Sequence, residues 1–292
     1  MTDARRNMAY PHRTPGWLLL GALLSLAQPA AASGLATPWQ HGHGSSARLL
    51  VGSSPEADGS VRLLAGVEIR LADGWKTYWR QPGDSGGIPP RFDWTGSVNL
   101  SGARVLYPAP ERLSDPTGES IGYKKSVIFP VELTPANPTQ PMHLKLAFEY
   151  GICREICVPA EARFEVTIAP GAVTGLQAEL ARMIARVPRA ASAFGAGAPA
   201  LVAARAVLTG SAPKLTFEVA VPGGTAGADL FVEAPDGLYL PMAAKVGEAA
   251  PDRALFSIDL SRGAEIDRLK GVTLRLTIVG AGGMVETTWK VE

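Results

Sequence analysis

The chain has 292 residues, with 28 Lys and Arg against 27 Asp and Glu, so its formal net charge at neutral pH is +1. That near balance, with no basic run or cationic helix stripe, argues against nucleic acid as a partner. The 24 prolines and 32 glycines are scattered without a repeat, which suggests many short strands separated by turns.

Arg5, Arg6 and Arg13 precede an apolar run from Trp17 to Ala27 that ends in Pro29-Ala30-Ala31-Ala32. This is the layout of a secretory signal peptide, expected over residues 1–32. The run is about eleven residues, short of the ~20 that cross a bilayer core, and no later segment offers ~18 uninterrupted apolar residues. The expectation is an exported, soluble mature protein with no membrane span. Ala4 and Asn7-Met8 around Arg5-Arg6 fit a twin-arginine signal poorly, so the general secretory route is preferred.

Strand-like alternation begins at Val67, Ile69 and Leu71, with Glu68, Arg70 and Ala72 on the other face. The following loop, Gly74 to Gly87, combines Trp75, Tyr78 and Trp79 with turn residues and leads to Ile88-Pro89-Pro90. Further strands are predicted at 91–94, 127–133, 144–150 and 163–168. In the third of these, Leu144, Leu146, Phe148 and Tyr150 share a face opposite Lys145 and Glu149. A helix is predicted from Thr174 as cap, with Gln177 three residues later as in a capping box. Leu176, Leu180, Met183, Ile184 and Val187 fall at helical spacing, and Pro188 stops it. Arg189 to Ala200 is rich in Ala, Gly and Pro and reads as a linker. A second β pattern follows at 215–219, 230–233, 255–260, 272–278 and 285–291. The fold expected is all-β, with two β-sandwich domains at 35–170 and 200–292 joined by a helix and linker over 171–199.

Cys153 and Cys157, the two cysteines of the chain, lie in Tyr150-Gly151-Ile152-Cys153-Arg154-Glu155-Ile156-Cys157-Val158-Pro159. In an extended strand such positions stand ~13 Å apart, whereas a disulfide needs Cα atoms within about 7 Å. The segment must therefore turn, and Gly151 and Pro159 punctuate the connection, placing the pair at the tip of a hairpin-like loop. The plain reading for an exported protein is an inert stabilising disulfide. Closing a loop of about five residues, however, removes only ~2 kcal/mol of unfolded-state entropy, against ~4.7 kcal/mol for a bridge spanning ~100 residues. A pair that closes without spanning the fold suits repeated opening. Disulfide exchange needs an attacking thiolate and a second thiol to resolve the mixed disulfide. Arg154 lowers a thiol pKa and Glu155 raises it, so charge alone leaves the attacking sulfur unassigned.

Three stretches resemble the N-terminal periplasmic domain of the DsbD and ScsB thiol:disulfide interchange proteins. They are Thr37-Pro38-Trp39, the run from Gly74 to Gly86, and the run from Tyr150 to Glu161. The ScsB-type branch is closer, because its cysteine spacing matches. The resemblance implies an immunoglobulin-like sandwich in the periplasm, with Cys153 and Cys157 as the redox pair. It also implies a cap loop around Asp115–Tyr123, with Asp115, Glu119 and Tyr123 as candidates, although Asp115-Pro116-Thr117-Gly118-Glu119 matches the family's acidic, aromatic cap poorly. Electrons would come from a separate membrane thiol carrier of the DsbD-core or CcdA type and pass to periplasmic thioredoxin-like oxidoreductases. The second β domain contains no cysteine or histidine and is expected to dock or to space.

Other features carry competing readings. Trp75, Tyr78 and Trp79 are candidates for a partner-docking surface, the blander reading being that they close one end of the sandwich. Lys124-Lys125 and Asp84 read as surface charge. His41 and His43, glycine-spaced after the leader, are candidate metal ligands, and soft thiolates select Cu(I). A periplasmic copper-binding or copper-tolerance protein using the same cysteines is thus the alternative. A non-catalytic interaction module with a structural disulfide is the second alternative. No cofactor is expected, and no hydrolase or phosphate-loop signature is present.

Overall fold

The computed structural model describes residues 35–292, apart from 56–60, 116–117, 172–175, 195–196 and 236. The expected signal peptide and the expected helix cap at Thr174 lie outside the described residues. The described residues form one compact unit, and no helix among them is long and apolar enough to cross a membrane.

The first part of the chain contributes β1 (Leu35–Ala36), β2 (Gln40–His41), β3 (Ser45–Pro55), β4 (Val61–Leu71), β5 (Lys76–Tyr78) and β6 (Arg91–Asp93). It continues with β7 (Leu100–Val105), β8 (Glu111–Asp115), β9 (Gly118–Lys124), β10 (Ser126–Pro135), β11 (Met142–Cys153) and β12 (Cys157–Ile168). One sheet has the order β1-β3-β4-β10-β7, with β2 on β3. The facing sheet has the order β12-β11-β5-β9-β8, with β6 on β11. Period-two alternation builds the core between them. Val67 and Ile69 from β4 and Val127, Phe129 and Val131 from β10 meet Leu144, Leu146, Phe148 and Tyr150 from β11. The predicted polar face of β4 is broken at Glu68, which is buried between the guanidinium groups of Arg48 at 2.7 Å and Arg70 at 3.1 Å.

Helix α1 (Gln177–Ile184) starts at the position where its first residue was expected to close a capping box. Leu176 is its N-cap, and no side chain caps it. Packing sets its place instead, since Met183, Leu176 and Ile184 bury against Leu50, Leu64 and Ile128 on the outer face of the first sheet. The predicted linker is partly ordered too. Arg189–Ala190 forms β13, pairing in parallel with a distant strand, and Ala191–Ala193 makes one 3₁₀ turn.

The remaining strands are β14 (Ala200–Val207), β15 (Lys214–Ala220), β16 (Asp229–Glu233), β17 (Ala244–Ala250), β18 (Arg253–Asp259), β19 (Thr273–Gly280) and β20 (Gly283–Lys290), with a short helix α2 (Ile266–Leu269) before β19. They form sheets β13-β20-β19-β16 and β14-β15-β18-β17. Leu215, Phe217, Phe256 and Ile258 of one sheet pack on Leu274, Leu276 and Ile278 of the other. The chain is thus all-β, two sandwiches in sequence order.

Candidate redox site

Strands β11 and β12 pair in continuous antiparallel register from Met142↔Ile168 to Cys153↔Cys157. The turn is only Arg154-Glu155-Ile156, and the last pair of the ladder is the cysteine pair. Directly opposite residues in such a ladder stand ~4.5–5.5 Å apart at Cα. The two cysteines, 4.1 Å apart at Cα, are joined by a disulfide. The requirement that this segment turn is met at the tip of a hairpin.

The two sulfurs sit in different surroundings. Cys153 is 7 % exposed and its strand also pairs with β5, Cys153 opposite Lys76 and Ile152 opposite Thr77. Cys157 is exposed. The Tyr78 hydroxyl stands 2.9 Å from the Cys157 sulfur, and because a disulfide sulfur carries no proton, the tyrosine is the donor there. Ile156 beside it is 73 % exposed, an apolar side chain at the rim of the pair.

The segment from Tyr78 to Ile88 covers the inner side of the hairpin. Gly151 donates its N–H to the Ile88 carbonyl at 3.0 Å. A Cβ on Gly151 would lie 2.7 Å from Ile88 Cβ, 2.9 Å from Ile88 O and 3.1 Å from Tyr78 Cδ2. Glycine stands there because two strands of backbone approach closely, not because it breaks the strand. Thr77 Oγ1 donates to the Gly151 carbonyl at 2.7 Å. Lys76 is buried and donates to Ser120 Oγ at 2.9 Å.

The other predicted site residues fall as follows. Tyr78 and Trp79 are 2 % and 1 % exposed, so they close the sandwich rather than offer a docking surface. Trp75 is half-buried, with the Arg154 guanidinium 5.7 Å over its ring and His43 edge-on at 5.1 Å. His41 shares a 2.8 Å hydrogen bond with Ser46 Oγ. Among the described residues no three His, Cys, Asp or Glu side chains cluster as metal ligands. The stretch expected as a cap loop is a paired hairpin, β8 against β9. Tyr123 is buried in the core, its hydroxyl donating to the Pro108 carbonyl at 2.8 Å, and burial raises its pKa well above the ordinary value. Glu119 accepts from Arg112 at 3.1 Å and from Ser114 at 3.2 Å. Asp115 ends β8, and its side chain lies outside the described residues. The contact on Cys157 comes from Tyr78 instead.

Sequence reasoning overlooked Ile156, Lys76 and the close approach at Gly151. The lone isoleucine between two charges and a cysteine was the signal available for the first. The other two depend on which strands become neighbours.

Residues 55–169 match the family model for the N-terminal part of the thiol:disulfide interchange protein DsbD. The crystal structure of the N-terminal periplasmic domain of ScsB from Proteus mirabilis superposes with a TM-score of 0.67 at 20% sequence identity, covering 89% of this chain and 99% of that one. The reduced N-terminal domain of DsbD from Neisseria meningitidis covers 41% of this chain and 86% of its own, at 19% identity and a TM-score of 0.25, too low to carry a structural argument. No curated protein sequence matches the chain. The chain therefore has two immunoglobulin-like sandwiches, and its residues 55–169 are similar to the N-terminal domain of the thiol:disulfide interchange protein DsbD.

Proposed function

We propose that the protein is a periplasmic thiol:disulfide interchange protein in which Cys153 and Cys157 relay electrons. The observation that carries this reading is the asymmetry of the pair, an exposed Cys157 joined to a buried Cys153 at a hairpin tip. Attack requires an accessible sulfur, and resolution requires a second one held close.

In the reduced protein Cys157 loses its proton, and the Tyr78 hydroxyl supports the thiolate by hydrogen bonding. The thiolate attacks a partner disulfide. As the Cys157–partner bond forms, the partner's own S–S bond breaks, and the leaving partner sulfur takes up a proton. Cys153 then gives up its proton and attacks the Cys157 sulfur, which restores the Cys153–Cys157 bond and expels the second partner thiol. Two electrons and two protons have passed to the partner. A membrane dithiol carrier of the DsbD-core or CcdA type returns them by the reverse chemistry, and thioredoxin-like proteins are the expected acceptors.

A glutathione redox titration of the purified mature protein tests the proposal. A reduction potential in the exchange range, above about −300 mV, is expected. A potential well below that value, with no partner trapped by Cys153→Ser or Cys157→Ser, overturns the relay and leaves an inert bridge. Stable Cu(I) uptake by the reduced pair without thiol exchange would favour a copper carrier instead.

A further inference from the structure

The segment between Tyr78, which touches Cys157, and Ile88, which touches Gly151, is fastened along its length to the second sandwich. Arg80 donates from Nε and Nη2 to the two carboxylate oxygens of Glu233, both at 2.7 Å, and from Nη2 to Glu286 at 2.8 Å. Burial alone would lower its pKa, but the bonds and charges of Glu233 and Glu286 outweigh that and keep the guanidinium charged. The group lies 4.4 Å over the Trp79 ring, and Trp79 itself packs on Phe231 of β16 with centroids 5.7 Å apart. Gly83, at φ +90°, passes so close to Met242 that a Cβ would stand 2.6 Å from its sulfur. Asp84 Oδ1 accepts from the Met242 N–H at 2.9 Å and from the Tyr239 hydroxyl at 3.2 Å. Beside it, Arg112 of β8 donates to both carboxylate oxygens of Asp229, at 2.9 and 3.2 Å, and to the Ala243 carbonyl at 2.7 Å.

The first sandwich holds the segment by a few backbone bonds to β9 and β11. No strand covers residues 79–90, and Pro82-Gly83-Asp84-Ser85-Gly86-Gly87 is a composition with high backbone freedom. Its backbone bonds run from Trp79 N to Ile121 O, from Ile121 N back to Pro82 O, from Ser85 N to Glu119 O and from Gly86 N to Gly83 O. Its ends are held on the first sandwich, Tyr78 in β5 and Ile88 on Gly151, and the second sandwich adds the side-chain anchors at Arg80 and Asp84 between them.

We infer that the second sandwich is a clamp on the Tyr78–Ile88 segment, with Arg80 and Asp84 as positioning residues that hold the Tyr78 hydroxyl against Cys157. The inference rests on the reading that the pair opens and closes. The titratable groups placed around the pair are Tyr78 and Lys76 on β5 and Arg154 and Glu155 in the turn. Arg80 and Asp84 act on it through the backbone that carries Tyr78.

The test is the rate of Cys157 alkylation by iodoacetamide as a function of pH, in the mature chain carrying Cys153→Ser. Tyr78→Phe removes the donor and is expected to move the midpoint up. Asp84→Ala and Arg80→Met are expected to move it the same way, by up to about one pH unit, which is about tenfold less thiolate at a fixed pH below the midpoint. Asp84→Asn keeps an oxygen for the Met242 N–H and is expected to stay near the parent. Asp84→Ala combined with Tyr78→Phe is expected to shift no further than Tyr78→Phe alone, because both act on one contact. Parental midpoints for Asp84→Ala and Arg80→Met, with circular dichroism and melting unchanged, overturn the clamp, as does an additive double variant. If Arg80→Met does not fold, Asp84→Ala decides alone, since that side chain is exposed. A pair that exchanges with no partner still reports its alkylation midpoint, so failure of the relay and failure of the clamp are read separately.

Discussion

Gly151→Ala is the substitution that most directly probes the packing behind the cysteine pair. Its backbone is ordinary extended strand, so the cost comes from space. The new methyl would lie 2.7 Å from Ile88 Cβ and 2.9 Å from the Ile88 carbonyl oxygen, and the second of these is backbone that also accepts the Gly151 N–H. Relief requires the Ile88 segment to lift from β11. Overpacking of this kind costs typically ~1–3 kcal/mol. A value of about 2 kcal/mol in a chain of this size lowers the melting temperature by roughly 4–8 °C. Lifting the segment also draws Tyr78 from Cys157, so the alkylation midpoint of Cys157 should rise together with the loss of stability. Thermal unfolding of the oxidised protein, followed by near-ultraviolet circular dichroism, reads the first effect. Gly247→Ala is the matched control, because a Cβ there meets nothing within 4 Å, and it should melt like the parent. If Gly151→Ala also melts like the parent and keeps its thiol midpoint, the close approach of Ile88 to the hairpin is refuted.

Further consequences can be checked independently. Cys153→Ser leaves the exposed sulfur and should accumulate mixed disulfides with thioredoxin-like proteins, whereas Cys157→Ser should trap few; the reverse pattern would make Cys153 the attacking thiol. Reducing the disulfide reopens a loop of about five residues and should cost only ~2 kcal/mol in denaturant unfolding, and a loss above ~4 kcal/mol would mark the bridge as structural. Burial raises the phenol pKa of Tyr123 and also those of Tyr107 and Tyr150. Their contribution is fully present below the unfolded-state value of about 10 and is lost as pH rises toward the folded values, because the unfolded chain releases those protons first. Stability should therefore fall above about pH 10, and Tyr123→Phe should weaken that fall while costing ~1 kcal/mol at neutral pH through the lost bond to Pro108. A pH-stability curve that Tyr123→Phe leaves unaltered would show that another group governs the alkaline limb.

Much of the site was legible in the amino-acid order because it is local. Two cysteines four apart between strand-like runs can be joined only at a turn, and the alternation of Leu144, Leu146, Phe148 and Tyr150 determined which face of β11 is core. Both follow from the pitch of a strand, which needs no distant partner. The stretch expected as a cap, Asp115–Tyr123, belongs to a local hairpin of β8 and β9, and its second partner, Thr77 of β5 opposite Tyr123, is one that nothing near it in sequence announces. The packing of Met183 and Leu176 on the first sheet is likewise long-range and unannounced by neighbouring residues.

Charge was the least legible feature. Asp84 reads as a surface carboxylate until Tyr239 and Met242 arrive from more than 150 residues away, and Arg80 finds Glu286 at a separation of 206. The sequence by itself determined the all-β class, the core faces of the principal strands and the hairpin that closes on Cys153 and Cys157, since these depend on residue period and reach. The tertiary structure alone decided that Cys157 is the exposed sulfur, that Tyr78 donates to it and that the second sandwich grips the segment carrying Tyr78. Those depend on which strands become neighbours, and that is set by the packing of the whole chain.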